Sequence, residues 1–220
     1  MLDDLDKELE SRGHRFARYA DDFVVLVGSL RAGERVMSSV RRFLERRLKL
    51  KVNEGKSRVV KARELTFLGF AFGAGGKIVW SGKSLATFKS RIRVLTGRGW
   101  GVSMEYRLEK LAQYMRGWMG YYAISKTFKE VRRMDYWIRR RIRCCYWKQW
   151  KSNANRVRQL MALGVNRRNA IITGVTKLGY WKMSKTPGVN QALSNRYLKE
   201  QGLLSLVDLW SRVHYPATAR

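Results

Sequence analysis

Two adjacent carboxylates, Asp21 and Asp22, interrupt a stretch of residues 16–27 that is otherwise apolar and typical of β-structure. The pattern predicts a strand, a tip that carries both carboxylates, and a second strand. The continuous aliphatic run of residues 24–27 fits a strand that is buried on both faces. Two like charges at the start of such a strand are costly unless something positive binds there. An ordinary Asp-Asp turn between two strands is the alternative interpretation.

Two further motifs follow this stretch. Apolar residues alternate with lysines over residues 48–52, which predicts a half-exposed strand, and the sequence Asn-Glu-Gly-Lys-Ser at 53–57 predicts a turn after it. Residues 65–70 form an apolar run that contains Gly69, and glycines separate it from a second apolar run at 77–80. A glycine inside a strand permits close backbone approach, so we expect a β-hairpin here.

These motifs carry a family resemblance. Tyr19-Ala-Asp-Asp22 resembles the catalytic hairpin of reverse transcriptases, and the turn at 53–57 is similar to the one that follows that hairpin in group II intron reverse transcriptases. The hairpin at 65–80 resembles their primer grip. Downstream, Arg116-Gly-Trp-Met-Gly-Tyr-Tyr122 is similar to the Gly-Trp-x-x-Tyr-Tyr signature of the group II intron maturase domain. The resemblance, to the C-terminal part of an intron-encoded reverse transcriptase/maturase, covers essentially all 220 residues.

The resemblance implies roles for individual residues. Asp21 would be the direct ligand of a catalytic metal ion and Asp22 a supporting ligand, while Lys56 would face the leaving pyrophosphate. Mg²⁺ is the expected cofactor. The family also uses fingers and a third aspartate from a preceding strand, which we do not find upstream of the hairpin. We therefore expect Mg²⁺ only if missing upstream residues complete the site. The implied primer-grip residues are Phe67, Leu68, Gly69 and Phe70.

Charge points to a polyanionic partner. The chain has 46 basic and 17 acidic residues, a net charge of +29 and a pI near 10.9. Residues 1–28 hold 4 basic and 7 acidic side chains, so the excess lies in residues 29–220, with 42 basic against 10 acidic. A phosphate backbone is the expected complement, and intron RNA and an RNA/DNA primer-template with dNTP are the implied partners. The predicted RNA-binding residues are Arg91, Arg93, Arg132, Arg133, Arg139, Arg140, Arg143 and Lys148.

Elements that position these residues follow from hydrophobic periodicity. We predict a short helix at 3–12, a helix from a Ser29 cap to about Leu48, and helices from Ser84 to the glycines at 97–101, at 104–123 and at 127–151. Shorter helices are expected near 189–201 and 205–213. The expected fold class is α+β: a partial polymerase palm with an antiparallel sheet and packed helices at residues 1–82, then a helical thumb/maturase domain at 83–220.

Several classes of protein are not supported. Cys144 and Cys145 are adjacent and predicted to be buried or inert thiols rather than a disulfide or a zinc site. No signal peptide or apolar run of about 18 residues occurs, so we expect no membrane span and a cytoplasmic location. We find no paired cysteines or histidines of the kind that a DNA-cutting nuclease domain would contain, so a nuclease is not supported.

Three interpretations of function remain. The chain is an RNA-binding part of a reverse transcriptase/maturase with an incomplete polymerase site, a non-catalytic RNA-binding splicing factor, or an inert remnant of a mobile element. A ribosome-associated basic protein would not explain the ordered palm motifs.

Overall fold

The computed structural model describes residues 2–216 and confirms the α+β class. The described residues divide into two compact units with the boundary between Gly76 and Lys77. The helices are α1 (Asp3–Ser11), α2 (Leu30–Arg46), α3 (Gly82–Leu95), α4 (Met104–Tyr122), α5 (Phe128–Gln149), α6 (Asn153–Ala162), α7 (Arg167–Val175), α8 (Tyr180–Met183), α9 (Pro187–Ala192), α10 (Asn195–Glu200) and α11 (Leu206–His214). The strands are β1 (Arg15–Tyr19), β2 (Asp22–Leu26), β3 (Thr66–Phe67), β4 (Phe70–Phe72) and β5 (Ile78–Trp80).

The first unit packs α1 and α2 on one face of the antiparallel ribbon β1–β2. Leu5 and Leu9 of α1 and Val40 and Leu44 of α2 form its buried centre. Alternate residues of the two strands pack on this cluster, as the period of two in a strand requires. The predicted Ser29 cap is confirmed, since its hydroxyl accepts a hydrogen bond from the Ala32 N–H at 3.1 Å.

Two strand predictions were wrong. β2 is only partly buried and Leu26 is exposed, because within the first unit α1 and α2 cover one face of the ribbon. Residues 48–52 form no strand: Lys49 has a left-handed backbone (φ 56°), and within residues 2–216 no strand pairs with this segment. Leu48, Leu50 and Val52 still pack against the core. The alternating pattern therefore predicted which side chains are buried, but not the secondary structure.

The predicted strand at 65–70 is in fact a tight hairpin. Leu68 (φ 50°) and Gly69 (φ 79°) are both left-handed, the backbone that a two-residue type I′ turn requires. Phe67 of β3 therefore lies opposite Phe70 of β4. The glycine that suggested close approach within a strand supplies the second turn residue instead. The predicted apolar run at 77–80 contains β5.

The second unit is built on α3, α4 and α5, at the positions predicted for them. Phe88 and Ile92 of α3, Leu111 of α4, and Ile138 and Ile142 of α5 are all fully buried or nearly so. Helix α11 packs on both α4 and α5. Its N-terminus is held by the buried carboxylate of Asp135, which accepts the Leu206 N–H at 2.8 Å.

One predicted helix between α5 and α11 is divided in two. The predicted helix at 189–201 breaks into α9 and α10, since the hydroxyl of Ser194 caps a new helix by accepting the Tyr197 N–H at 3.1 Å. Helices α6 and α7 pack closely, and the contact depends on a glycine. A Cβ on Gly174 would lie 2.5 Å from Cγ2 of Val157, so this crossing leaves no room for a larger residue.

Candidate functional site

The carboxylate turn lies at the end of the β1–β2 ribbon. Tyr19 pairs with Asp22, and Ala20 and Asp21 connect the two strands, with Ala20 in a left-handed conformation (φ 53°). Both carboxylates are exposed. The turn therefore presents two adjacent anionic side chains to solvent, which both the metal-site hypothesis and the ordinary-turn interpretation allow.

An arginine that sequence reasoning missed braces this turn. Nε of Arg18 donates to Oδ1 of Asp6 at 2.8 Å, and its Nη1 donates to the carbonyl oxygen of Ala20 at 3.0 Å. These bonds tie the turn to α1, and the hydrogen bond from Arg18 holds the pKa of Asp6 below its usual value. The strand register could have indicated this role. Arg18 lies opposite Phe23, so both side chains are on the face of the ribbon that packs against α1.

The donor set fits a metal ion only in part. Asp21 and Asp22 supply the hard oxygen ligands that Mg²⁺ takes, and Mg²⁺ bound to a nucleotide often uses one or two carboxylates plus the substrate's phosphates. Within residues 2–216 no three His, Cys, Asp or Glu side chains lie together as a metal site. A third His, Cys, Asp or Glu ligand would then come from outside the described part of the chain.

The other implied palm residues lie at two separate turns. Lys56 is exposed, and the N–H groups of Lys56 and Ser57 both donate to the carbonyl oxygen of Asn53, at 3.2 and 3.0 Å. No hydrogen bond or ion pair among the described residues joins Lys56 to Asp21 or Asp22. The implied primer-grip residues occupy the β3–β4 turn. Their functional roles therefore stay predictions.

The arginines of α5 fall into two groups. Arg140 and Arg143 are only 8% and 4% exposed, and both donate to main-chain carbonyls: Arg140 to Trp181 at 2.8 Å and Arg143 to Leu193 at 2.9 Å. Arg139 forms an ion pair with the buried Asp135. These contacts occupy the three guanidinium groups, so the expectation that they form an outward phosphate-binding surface does not hold for Arg140 and Arg143.

The remaining predicted RNA-binding residues lie at the surface. Arg91, Arg93, Arg132, Arg133 and Lys148 are all exposed. Arg133 is 3.3 Å from the carboxylate of Glu130, and the guanidinium of Arg93 lies 5.7 Å from the ring of Trp137. No ion pair joins Arg91, Arg132 or Lys148 to an acid in the described residues, so these three cations are available to an external anion.

Two of the three aromatic residues in the maturase-like signature, Trp118 and Tyr122, are partly buried and make contacts within the unit. Trp118 stacks on Tyr122 with ring centroids 4.0 Å apart and also contacts Phe88 of α3. Nε1 of Trp80 donates to the carbonyl oxygen of Tyr122 at 2.9 Å. These contacts join α3, α4 and β5, so the aromatic residues of the signature stabilise the unit. Tyr121 is the exception, since it is exposed.

Sequence reasoning also missed two arginines that bind the end of α3. The buried Arg107 donates to the carbonyl oxygens of Leu95 at 3.0 Å and Trp100 at 2.8 Å. Arg141 donates to Thr96. Both cations lie where the helix leaves its last carbonyls unpaired, which is also where the helix dipole favours positive charge. No sequence signal distinguishes them from the surface arginines.

Comparison with known protein families agrees with this description. Residues 85–164 match the group II intron maturase-specific domain, and residues 1–72 match the reverse transcriptase (RNA-dependent DNA polymerase) domain. The two matches are consistent with the C-terminal part of a group II intron-encoded reverse transcriptase/maturase. Both of the family's domains imply binding of nucleic acids, with intron RNA as the general class of partner, and reverse transcriptases typically use metal ions.

Two further observations complete the comparison. No curated protein matches the chain significantly. Across residues 2–216, each helix is too short or too polar to cross a lipid bilayer.

Proposed function

We propose that the second unit of this chain binds intron RNA through exposed, unpaired basic side chains. The observation that carries the proposal is the charge imbalance of residues 77–220, which contain 30 basic and 6 acidic side chains. No acidic residue occurs between Asp135 and Glu200. Charges of one sign repel one another, and a phosphate backbone is the polyanion that the family's domains imply.

The acids of this unit are largely committed to local contacts. Asp135 is buried and binds Arg139 and the N-terminus of α11, while Glu130 contacts Arg133. Glu200 pairs with Arg196 at 2.8 Å. Since so few carboxylates serve so many cations, cations such as Arg91 and Arg132 keep their full charge for a ligand.

The experiment is a titration of a structured intron RNA at several salt concentrations. Affinity should fall as salt rises, with a slope in log–log form of about −0.7 to −0.9 per phosphate contact. Replacing Arg91 and Arg132 together by Ala should reduce the steepness of that slope by about one to two contacts. Arg196→Ala is the matched control, because this arginine is exposed but already paired with Glu200. The proposal would be rejected if RNA affinity did not change with salt. It would also be rejected if the Arg196→Ala control changed the salt slope as much as the double Arg91/Arg132 variant.

We further propose that Asp21 and Asp22 are metal ligands of the family's polymerase site, with Asp21 the direct ligand. Bound metal would activate the primer hydroxyl and stabilise the leaving pyrophosphate. The chain's own contribution is to fix the carboxylates on a turn that Arg18 ties to α1. Since residues 2–216 place no third His, Cys, Asp or Glu beside the two carboxylates, we infer that these residues alone do not polymerise DNA.

Primer extension by the purified chain with Mg²⁺ tests this second proposal. We expect no template-dependent product, and the same result for Asp21→Asn. Extension that disappears in Asp21→Asn would show that two carboxylates suffice. RNA affinity should be the same in both proteins, because the turn carries negative charge and does not attract phosphate.

A further inference from the structure

A cleft beside α8 has no role in the proposals above. It has a volume of about 540 Å³ and is lined by residues 177–182 and by Arg98, which follows α3. Volumes of about 300–1,000 Å³ are typical of small-ligand sites. The segment Lys177-Leu-Gly-Tyr-Trp-Lys182 thus places three kinds of group around one open space: aromatic rings, cations and a glycine.

Two aromatic rings form one side of this cleft. Trp181 is 43% exposed, so a substantial part of its ring is accessible to a ligand. Tyr180 is half-buried, with the guanidinium of Arg98 4.6 Å from its ring centre and Nζ of Lys148 5.9 Å from it. Cations lie at distances at which they interact favourably with the ring. Aromatic surface is therefore available next to positive charge.

The Trp181 ring rests on a rigid support. The guanidinium of Arg140 lies 3.7 Å from its ring centre and donates to the carbonyl oxygen of the same residue at 2.8 Å. Arg140 is itself buried, and Met183, two residues further on, is fully buried. Because Arg140 covers one face of the indole, the exposed area lies on the other face and the edge. A ring fixed in this way loses little entropy when a ligand stacks on it.

The cations of the cleft have no acidic partner. No ion pair in the described residues joins Arg98, Lys177 or Lys182 to a carboxylate, and no acidic residue occurs between Asp135 and Glu200, the stretch that contains both lysines. A ligand that satisfies the cleft must then offer both a flat π-face and negative charge. A neutral apolar ligand would leave the three cations without a counterion.

We propose that this cleft binds one unpaired nucleotide of a nucleic-acid strand, with its base stacked on Trp181 and its phosphate next to Lys177, Lys182 and Arg98. The base must be unpaired, since a base inside a duplex has both faces covered by its neighbours. Stacking on an aromatic side chain tolerates any base, because every base has a π-face. The proposal rests on the RNA-binding function above and adds a preference for single-stranded segments.

The test compares two probes at fixed salt, a 12-nucleotide single-stranded oligouridine and a 12-base-pair RNA duplex. Trp181→Ala should weaken oligouridine binding about five-fold or more, the lower range for loss of one base–aromatic stack. Duplex affinity should change less than about two-fold, because duplex binding uses phosphates. Trp181→Phe keeps a ring over Arg140 and should retain most of the affinity. Tyr106→Ala removes another exposed aromatic residue that lies outside the cleft lining, and should change neither probe's affinity.

The outcomes separate this proposal from the one on which it rests. If Trp181→Ala weakens both probes equally, or neither, the nucleotide cleft is wrong even though salt-sensitive RNA binding stands. If wild-type protein binds neither probe, both proposals fail. An oligodeoxythymidine strand identifies the source: equal affinity assigns the cleft to either kind of strand, and weaker affinity assigns it to RNA. Thermal melting of each variant shows whether the unit remains folded.

Discussion

Arg143 and Arg132 lie on the same helix, yet their replacement should have opposite effects. Arg143→Ala removes two hydrogen bonds from a buried guanidinium, to the carbonyl oxygen of Leu193 at 2.9 Å and to Oδ1 of Asn195 at 3.0 Å. Hydrogen bonds to charged groups contribute about 1.5–3 kcal/mol each. The desolvation cost of the guanidinium, which also lowers the pKa of Arg143, is relieved at the same time. We therefore expect the free energy of unfolding to fall by about 2–4 kcal/mol.

The assay is urea denaturation followed by tryptophan fluorescence. All 8 tryptophans lie between Trp80 and Trp210, so the signal reports on the second unit alone. With a slope of about 2 kcal/mol per molar urea, the midpoint should fall by roughly 1–2 M. RNA affinity of the folded variant should stay within about two-fold of wild type.

Arg132→Ala is the matched comparison. This side chain is exposed and has no ion-pair partner in the described residues, so its replacement should change the free energy of unfolding by less than about 0.5 kcal/mol. RNA affinity and the steepness of its salt dependence should both decrease. A stable Arg143→Ala protein that has lost RNA affinity would refute the division of the helix into internal and RNA-facing arginines.

Two further predictions concern ionisable groups. Because Arg18 lowers the pKa of Asp6 in the folded state, the pair stabilises the first unit above about pH 3.9, the unfolded value, and loses this contribution as pH falls further. The difference in hydrogen exchange of α1 and β1 between wild type and Asp6→Asn should therefore be larger at pH 5 than near pH 2.5; an equal difference at both would contradict the coupling. Burial raises the pKa of the Cys144 and Cys145 thiols, so a thiol reagent at pH 8 should label native protein slowly and denatured protein promptly. Prompt labelling of native protein would mean that the thiols are accessible.

Local signals predicted the elements well where one residue decides the outcome. Ser29 begins α2 as expected, and the helices at 104–122 and 128–149 lie within a few residues of their predicted bounds. The apolar alternation at 48–52 failed because a strand needs a partner, which no local pattern can supply. The continuous strand expected at 65–70 was wrong for another reason. Leucine rarely adopts a left-handed backbone, so the turn at Leu68 could be suspected only from the neighbouring Gly69.

The sites were predictable to different degrees. The carboxylate turn follows from four adjacent residues, and its register puts Asp22 opposite Tyr19. The arginines of α5 could not be sorted from sequence, because the partners that bury Arg140 and Arg143 are Trp181 and Leu193, about 40 and 50 residues away. Amphipathic periodicity describes one helix, whereas burial here depends on which later helices pack against it.

The internal arginines also bear on why this unit keeps so large a positive charge. Arg107, Arg140 and Arg143 are stabilised by main-chain carbonyl oxygens and not by carboxylates. Carbonyl dipoles satisfy the N–H groups of a guanidinium without cancelling its charge, so burial of these residues does not reduce the net charge of the unit. The fold is thus held together by cations whose field still extends to the surface, where it adds to that of exposed residues such as Arg91 and Arg132. Stability and attraction for a polyanion then draw on the same residue type at different positions, and for this reason substitutions can separate them.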